Sequence, residues 1–297
     1  MRALPADLLD CPRPLALAQH LPSRARTAAA LWIPLAGSVA LGVIAALRPI
    51  SGVPGLVLIV ALGITALAIL RAVSLRVRRA AVWPLELDEA LGLYRAGDLA
   101  AAAARLDALL AGPRLHPAYR AAALAWRAQV ALRQSDAAWA VVLWAEVMRS
   151  GHWRAAGLRR VLAGVPGMLA LAAAAEGDLA RARRWLTQLP VLDAQWGMGA
   201  RLLATVYLAL REGDRPAARR LAREGWPMAC ATLAPAELRA LRTLAALAEP
   251  DPDGPAARTW REGARPGWPG ELDYLARGWP ALTTLLRASD PPGRAVP

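Results

Sequence analysis

The chain of 297 residues contains no phenylalanine, lysine or asparagine, and it has few cysteines and histidines. The absence of lysine excludes a P-loop nucleotide site, because that motif uses a lysine to contact the phosphates. Two cysteines, Cys11 and Cys230, do not make a disulfide framework, which favours a reducing compartment. His20, His116 and His152 are not spaced as metal ligands. The sequence therefore predicts no metal site, no cofactor and no enzymatic activity.

Basic residues outnumber acidic ones, and the excess is concentrated near the N-terminus. All 36 basic residues are arginine, against 23 acidic residues, which gives a net charge of +13. Residues 1–80 hold nine arginines and only two acidic residues, Asp7 and Asp10. This excess flanks an apolar segment, and such a distribution indicates membrane topology before it indicates nucleic-acid binding.

Two uncharged segments in this region are long enough to cross a membrane. Residues 27–47 carry no charged side chain, and neither do residues 49–70. A helix of about 20 residues spans the hydrocarbon core of a bilayer. We expect a transmembrane helical hairpin at 27–71, with spans at about 27–47 and 54–70 joined by a short turn. The alternative is a buried helical hairpin in the core of a water-soluble protein.

Arginines are distributed asymmetrically around the two spans. Arg2, Arg13, Arg24 and Arg26 precede the first span, and Arg71, Arg76, Arg78 and Arg79 follow the second. By the positive-inside rule, both termini face the cytoplasm and the protein is a multi-pass protein of the inner, cytoplasmic membrane. We expect a cytoplasmic N-terminal tail at 1–26 and a basic juxtamembrane linker at 72–84. The four arginines after the second span either contact the membrane surface or act only as a stop-transfer signal.

Downstream of the spans, one short phrase recurs four times. Its copies, separated by 38, 42 and 36 residues, are Gly97-Asp98-Leu99, Ser135-Asp136-Ala137, Gly177-Asp178-Leu179 and Gly213-Asp214-Arg215. Glycine can close a helix in the left-handed conformation, and the aspartate after it can cap the next helix. Each copy is followed at the same offset by an alanine, namely Ala102, Ala140, Ala182 or Ala218. A period in this range predicts stacked helical hairpins.

These corners and their alanines resemble tetratricopeptide-like (TPR-like) repeats. The preceding helices carry further small residues at Ala90, Ala128 and Ala170. The resemblance covers about residues 85–225, but the periods exceed those typical of the family and no copy has its full signature, so another α-solenoid stays open as an alternative. The implied fold class is all-α, with the N-terminal transmembrane helical hairpin followed by a TPR-like α-solenoid of about four to five helical hairpins.

The repeat pattern decays after Gly225-Trp226-Pro227. We expect the repeat domain at 85–249, degenerate capping helices at 250–288 and a disordered tail at 289–297. The capping helices are expected around Trp268 and Trp279.

Arginines on the second helices of two successive hairpins form the surface most typical of a binding site. They are Arg181 and Arg184 in one hairpin and Arg215, Arg219, Arg220 and Arg223 in the next. Guanidinium groups in such a row can bind an acidic partner. The alternative is a solvated helix face with no binding role.

The function expected from these features is that of a membrane-anchored scaffold or adaptor, which binds a partner protein through its cytoplasmic TPR-like solenoid. One alternative is an accessory or assembly subunit of a larger membrane protein complex. A second is an arginine-rich module for lipid headgroups or nucleic acid, although the sequence shows no recognised nucleic-acid-binding module.

Overall fold

The computed structural model describes residues 85–112, 115, 117–154, 162–189 and 194–289, together with Ile64. The described residues fall into two compact units that divide between Glu89 and Ala90, and the text below concerns the second unit. The predicted spans 27–47 and 54–70, the tail 1–26 and the linker 72–84 all lie outside the described residues, apart from Ile64. In the described part of the chain, no helix has both the length and the apolar character that a membrane crossing requires.

The described residues form α-helices and turns and contain no strand. In chain order the helices are α1 (85–96), α2 (Leu99–Ala111), α3 (Pro117–Arg133), α4 (Ala137–Ser150), α5 (Val165–Glu176), α6 (Leu179–Gln188), α7 (Ala194–Arg211), α8 (Arg215–Thr232), α9 (Pro235–Ala248), α10 (Pro255–Glu262), α11 (Asp273–Ala276) and α12 (Pro280–Ser289). A 3₁₀ turn at His152–Arg154 follows α4. The prediction of an all-α chain is confirmed for this part.

Successive hairpins stack on one another as a helical-repeat solenoid. The first helix of each hairpin packs on its own second helix, as α3 does on α4, α5 on α6, α7 on α8 and α9 on α10. First helices of neighbouring hairpins also pack side by side, as α5 does on α7 and α7 on α9. Each hairpin therefore buries its apolar face against the next one, which is the packing typical of repeat proteins.

The corner between α5 and α6 shows how the repeated phrase folds. Gly177 ends α5 with a φ of 102°, and its N–H donates to the carbonyl of Ala174 over 3.2 Å. The N–H of Asp178 donates to the carbonyl of Ala173 over 2.9 Å, which completes a helix C-cap. The carboxylate of Asp178 then accepts the N–H of Arg181 over 2.9 Å and caps α6. The predicted pairing of helix end and helix start is confirmed.

All four corners share this geometry. Asp98, Asp136, Asp178 and Asp214 each accept the N–H three residues later at 2.9–3.0 Å. Ser135 takes the place of glycine in the second corner and still adopts a left-handed φ of 61°. The alanines Ala102, Ala140, Ala182 and Ala218 are each fully buried, with 0% of their surface exposed. A larger side chain there would separate the packed helices, so the recurring alanine has a packing role.

Helix α8 is longer than the sequence pattern indicated. It continues through Pro227 to Thr232, although the repeat pattern decays at Gly225. A proline inside a helix has no N–H to donate to the carbonyl four residues earlier, and its ring clashes with that carbonyl. In α8 this carbonyl belongs to Arg223. Pro227 is exposed, so water can solvate that part of the helix.

Helix α10 packs on α9 and forms a fifth hairpin beyond the repeat region predicted from the corners.

Candidate functional site

We call the side of the repeats formed by the first helices the inner face. These helices are residues 90–96 of α1, together with α3, α5, α7 and α9. The amide of Gln129 in α3 donates to the carboxylate of Glu237 in α9 over 2.8 Å, so first helices from the second and fifth hairpins meet directly. A partner is commonly held on this kind of curved surface in solenoid proteins.

In this chain the inner face is covered by residues 264–289, which we call the C-terminal strap. The strap contains α11 and α12, and α11 packs against both α3 and α5. The ring of Trp268 lies edge-on to Tyr94 of α1, with ring centroids 6.0 Å apart. Trp279 makes the same kind of contact with Tyr207 of α7 at 5.5 Å, and the Tyr207 hydroxyl donates to the carbonyl of Leu275 over 2.9 Å. The strap thus contacts first helices of the first and fourth hairpins.

Within residues 250–288 the structure places α10, α11 and most of α12, and α11 packs against α3 and α5 of the inner face. The physical reason is apolar burial: Leu272, Tyr274 and Leu275 of the strap are at most 2% exposed. The aromatic residues of the first helices are covered by the same contacts.

Glu271 is the main charged anchor of the strap. Its side chain is fully buried, and its carboxylate accepts both the Nε and the Nη2 of Arg239 at 2.8 and 2.5 Å. The N–H of Gly267 donates to the same carboxylate over 2.6 Å. A bidentate arginine pair has a fixed geometry, so this contact sets the register of the strap against α9.

Arg133 lies at the centre of the contact between α3, α9 and the strap. Its guanidinium is fully buried, donates to the carbonyl of Glu271 over 2.9 Å and lies 3.5 Å from the carboxylate of Glu237. It also lies over the ring of Tyr274, 4.5 Å from the ring centroid. Burial lowers the pKa of Arg133, but its electrostatic interactions with Tyr274, Tyr94 and Glu237 outweigh burial and raise that pKa above its usual value. The arginine therefore stays charged inside the protein.

Three tyrosines around this cluster have altered acidity. Burial raises the pKa of Tyr94, Tyr207 and Tyr274 above the usual value of about 10. The guanidinium groups of Arg133 and Arg211 lower these pKa values only in part. All three phenols are therefore neutral at physiological pH, and the contacts described here are those of the neutral rings.

The six arginines that the sequence indicated as a partner-binding stripe do not form one uniform surface. Arg223 of α8 pairs with both carboxylate oxygens of Glu249 at 2.8 and 2.9 Å. Arg181 of α6 stacks on the ring of Trp185 at 4.7 Å. These two residues have structural contacts within the chain, which accounts for their positions without a partner.

Exposure varies along the stripe. Arg184, Arg215, Arg220 and Arg223 are exposed, and Arg181 and Arg219 are partly exposed. Arg183 of α6 forms an ion pair with Glu212, which lies at the start of the corner that leads into α8. This ion pair brings the beginnings of the two second helices together. Arg184, Arg215, Arg219 and Arg220 on α6 and α8 form no ion pair with another residue that the structure describes. The membrane-surface arginines Arg71, Arg76, Arg78 and Arg79 lie outside the described residues.

Sequence reasoning did not find the buried cluster on the inner face. Arg133, Glu237 and Glu271 are distant in the chain, and nothing near any of them indicates its partner. Among the residues that the structure describes, no group of three or more histidine, cysteine, aspartate or glutamate side chains is arranged to hold a metal ion. No family model, no curated protein and no solved structure matches this chain.

Proposed function

We propose that this protein is a membrane-anchored scaffold that binds an acidic partner protein on the outer side of its TPR-like repeats. The observation that carries the proposal is the group of accessible arginines Arg184, Arg215, Arg219 and Arg220 on adjacent second helices. The inner face, where solenoids commonly hold a partner, is partly covered by the C-terminal strap in this chain. A partner would therefore bind the second helices.

The placement of Arg215 supports a role outside helix stability. It is the first residue of α8, where the helix dipole is positive and a cation is unfavourable. The carboxylate of Asp214 already caps the start of α8 and balances the positive end of the helix dipole, so Arg215 is not required for capping. An acidic partner segment would neutralise Arg215 and pair with the neighbouring guanidinium groups in bidentate fashion.

The membrane hairpin is the part of the proposal that rests on sequence alone. The uncharged segments 27–47 and 54–70 have the length of a membrane hairpin, and the arginines around them favour cytoplasmic termini. The repeats would then be held at the cytoplasmic side of the inner membrane. Arg71, Arg76, Arg78 and Arg79 would lie at the lipid headgroups.

The proposal is tested by cross-linking in native membranes, with recovery of proteins bound to the full chain. We expect one acidic protein to be recovered with the wild type and to be lost from the double variant Arg184→Gln and Arg215→Gln. The matched control is Arg258→Gln with Arg265→Gln, which removes the same charge from exposed positions on and just after α10. Equal recovery from both double variants would contradict the proposed surface.

Salt dependence separates the alternatives. A lipid-headgroup or nucleic-acid module would lose binding steeply as salt rises, because its affinity comes from released counterions. Retention of anionic vesicles or RNA by the wild type, together with no recovered protein, would favour that alternative. The protein could instead co-purify as a fixed part of a membrane complex, and the double variant at Arg184 and Arg215 would then leave this co-purification unchanged. That result would favour the alternative of an accessory subunit.

A further inference from the structure

A pocket opens among the first helices of the repeats. It has a volume of about 230 Å³ and lies between α3, α4, α5, α7 and the turn from α8 to α9. Its walls carry the rings of Trp126 and Trp144 and the side chain of Met168. The remaining apolar wall is made mostly of small residues, including Ala125 and Ala200. An aromatic wall with small neighbours is typical of a site for a flat apolar molecule.

The frame of the pocket is set by close backbone packing. Gly167 allows α5 to approach α7 so closely that a Cβ atom at this position would lie 2.4 Å from the carbonyl carbon of Ala200. Trp144 is only 2% exposed and is held within the core. These contacts hold the backbones of α5 and α7 and the ring of Trp144 in place.

Three polar residues, Gln129, Thr232 and Glu237, line the pocket. The hydroxyl of Thr232 donates to the carbonyl of Met228 over 2.8 Å. The Oε1 atom of Glu237 accepts the amide of Gln129 at 2.8 Å and lies 3.5 Å from Nη2 of Arg133. Its Oε2 atom is buried and has no hydrogen-bond partner. A carboxylate can accept about four hydrogen bonds, and rotation about its last side-chain bond can turn either oxygen toward a ligand. Glu237 therefore has acceptor capacity that the protein leaves unused.

The charges near Glu237 decide between a neutral and a cationic ligand. The fully buried guanidinium of Arg133 already balances the Glu237 carboxylate. A second buried cation would lose its hydration and face Arg133, which is unfavourable. A neutral N–H donor can bond to the carboxylate without that penalty.

We propose that this pocket binds a small, neutral, planar aromatic molecule that donates an N–H to Glu237 while its ring lies between Trp126 and Trp144. An engineered cavity of about 150 Å³ accepts benzene, so a volume of about 230 Å³ suits a bicyclic ring of about nine non-hydrogen atoms. This site is separate from the proposed protein-binding surface and does not depend on it.

The test uses indole and 1-methylindole with the full chain, because the two probes differ only at the N–H. We expect indole to bind and 1-methylindole to bind at least about tenfold more weakly in calorimetric titration, since it lacks the donor to a charged acceptor. Equal affinity for the two probes, or no heat from indole at millimolar concentration, would overturn the proposal.

A filled-pocket variant locates the binding. Ala125→Leu places a larger side chain in the pocket and should abolish indole binding, whereas Ala256→Leu on the exposed face of α10 should leave it unchanged. Indole should also shift the NMR signal of the Met168 methyl group, labelled with ¹³C in the wild type, by ring current. Unchanged indole affinity in Ala125→Leu, or an unmoved Met168 signal in the wild type, would each reject this site. The Met168 measurement does not depend on the folding of any variant.

Discussion

The guanidinium of Arg133 in α3 lies 4.5 Å from the ring centroid of Tyr274 in the C-terminal strap. The same guanidinium donates to the carbonyl of Glu271 and faces the carboxylate of Glu237 in α9. One buried cation thus connects the second hairpin, the fifth hairpin and the strap. These contacts within the chain cover part of the inner face of the solenoid.

The anchor at Glu271 predicts a large loss of stability when its charge is removed. Glu271→Gln leaves Arg239 without its bidentate partner in a mostly buried position, and we expect the free energy of unfolding to fall by about 3 kcal/mol. Urea denaturation measures the change. The control is Asp273→Asn, an exposed acid in the same segment, which should change stability by less than about 0.5 kcal/mol. Similar effects of the two substitutions would contradict a buried anchor.

Two tyrosines at the strap predict opposite effects of losing a hydroxyl. The Tyr207 hydroxyl donates to the Leu275 carbonyl, so Tyr207→Phe should lower the free energy of unfolding by about 1 kcal/mol. The Tyr274 hydroxyl is buried without a partner, so Tyr274→Phe should leave stability unchanged or raise it. Thermal unfolding of both variants checks the contrast. A Tyr274→Phe variant less stable than Tyr207→Phe would show that the contacts are assigned wrongly.

The second corner predicts a stabilising substitution. Ser135 holds a left-handed φ of 61°, which is unfavourable for any residue with a Cβ atom. Ser135→Gly should raise the free energy of unfolding by about 0.5–1 kcal/mol, after allowance for the greater flexibility of glycine in the unfolded chain. The reciprocal change, Gly177→Ala, meets no neighbouring atom and should lower stability through its φ of 102° alone. A destabilised Ser135→Gly protein would contradict this account.

The buried tyrosines predict weaker stability at high pH. Their pKa values are raised in the folded state, so above pH 10 the folded protein binds more protons than the unfolded chain. The stabilisation is complete below the unfolded pKa of about 10 and is lost as pH rises through the higher folded values. Urea midpoints should therefore fall between about pH 9 and pH 11. Tyr274→Phe should flatten this dependence, and a midpoint that rises with pH would exclude the proposed linkage.

The exposed thiol of Cys230 predicts the result of a topology experiment. Cys230 is a free, exposed cysteine in α8, so it is accessible to reagents once they reach its side of the membrane. In a Cys11→Ser background, a membrane-impermeant maleimide should leave intact cells unlabelled and modify Cys230 after lysis. Cys230→Ser controls for non-specific modification. Labelling of Cys230 in intact cells would overturn the cytoplasmic orientation.

The sequence by itself determined the repeat. Gly177 with Asp178, and the equivalent residues of the other corners, carry enough local information to end one helix and start the next, because both capping interactions occur within a few residues. The buried alanines follow from the same local pattern. The local sequence could not predict that α8 continues through Pro227. The loss of stability from the carbonyl that the proline leaves unpaired depends on its exposure to solvent, which the tertiary structure sets.

Only the tertiary structure decided how the inner face is used. The contacts of Arg133 with Glu237, and of Arg239 with Glu271, join residues that no sequence period relates. It also decided which arginines are paired within the chain, since Arg223 bonds to Glu249 whereas Arg184 and Arg215 form no ion pair with another described residue. The reason is physical: helix caps depend on neighbours in the chain, whereas burial and ion pairing depend on which distant segments are packed together.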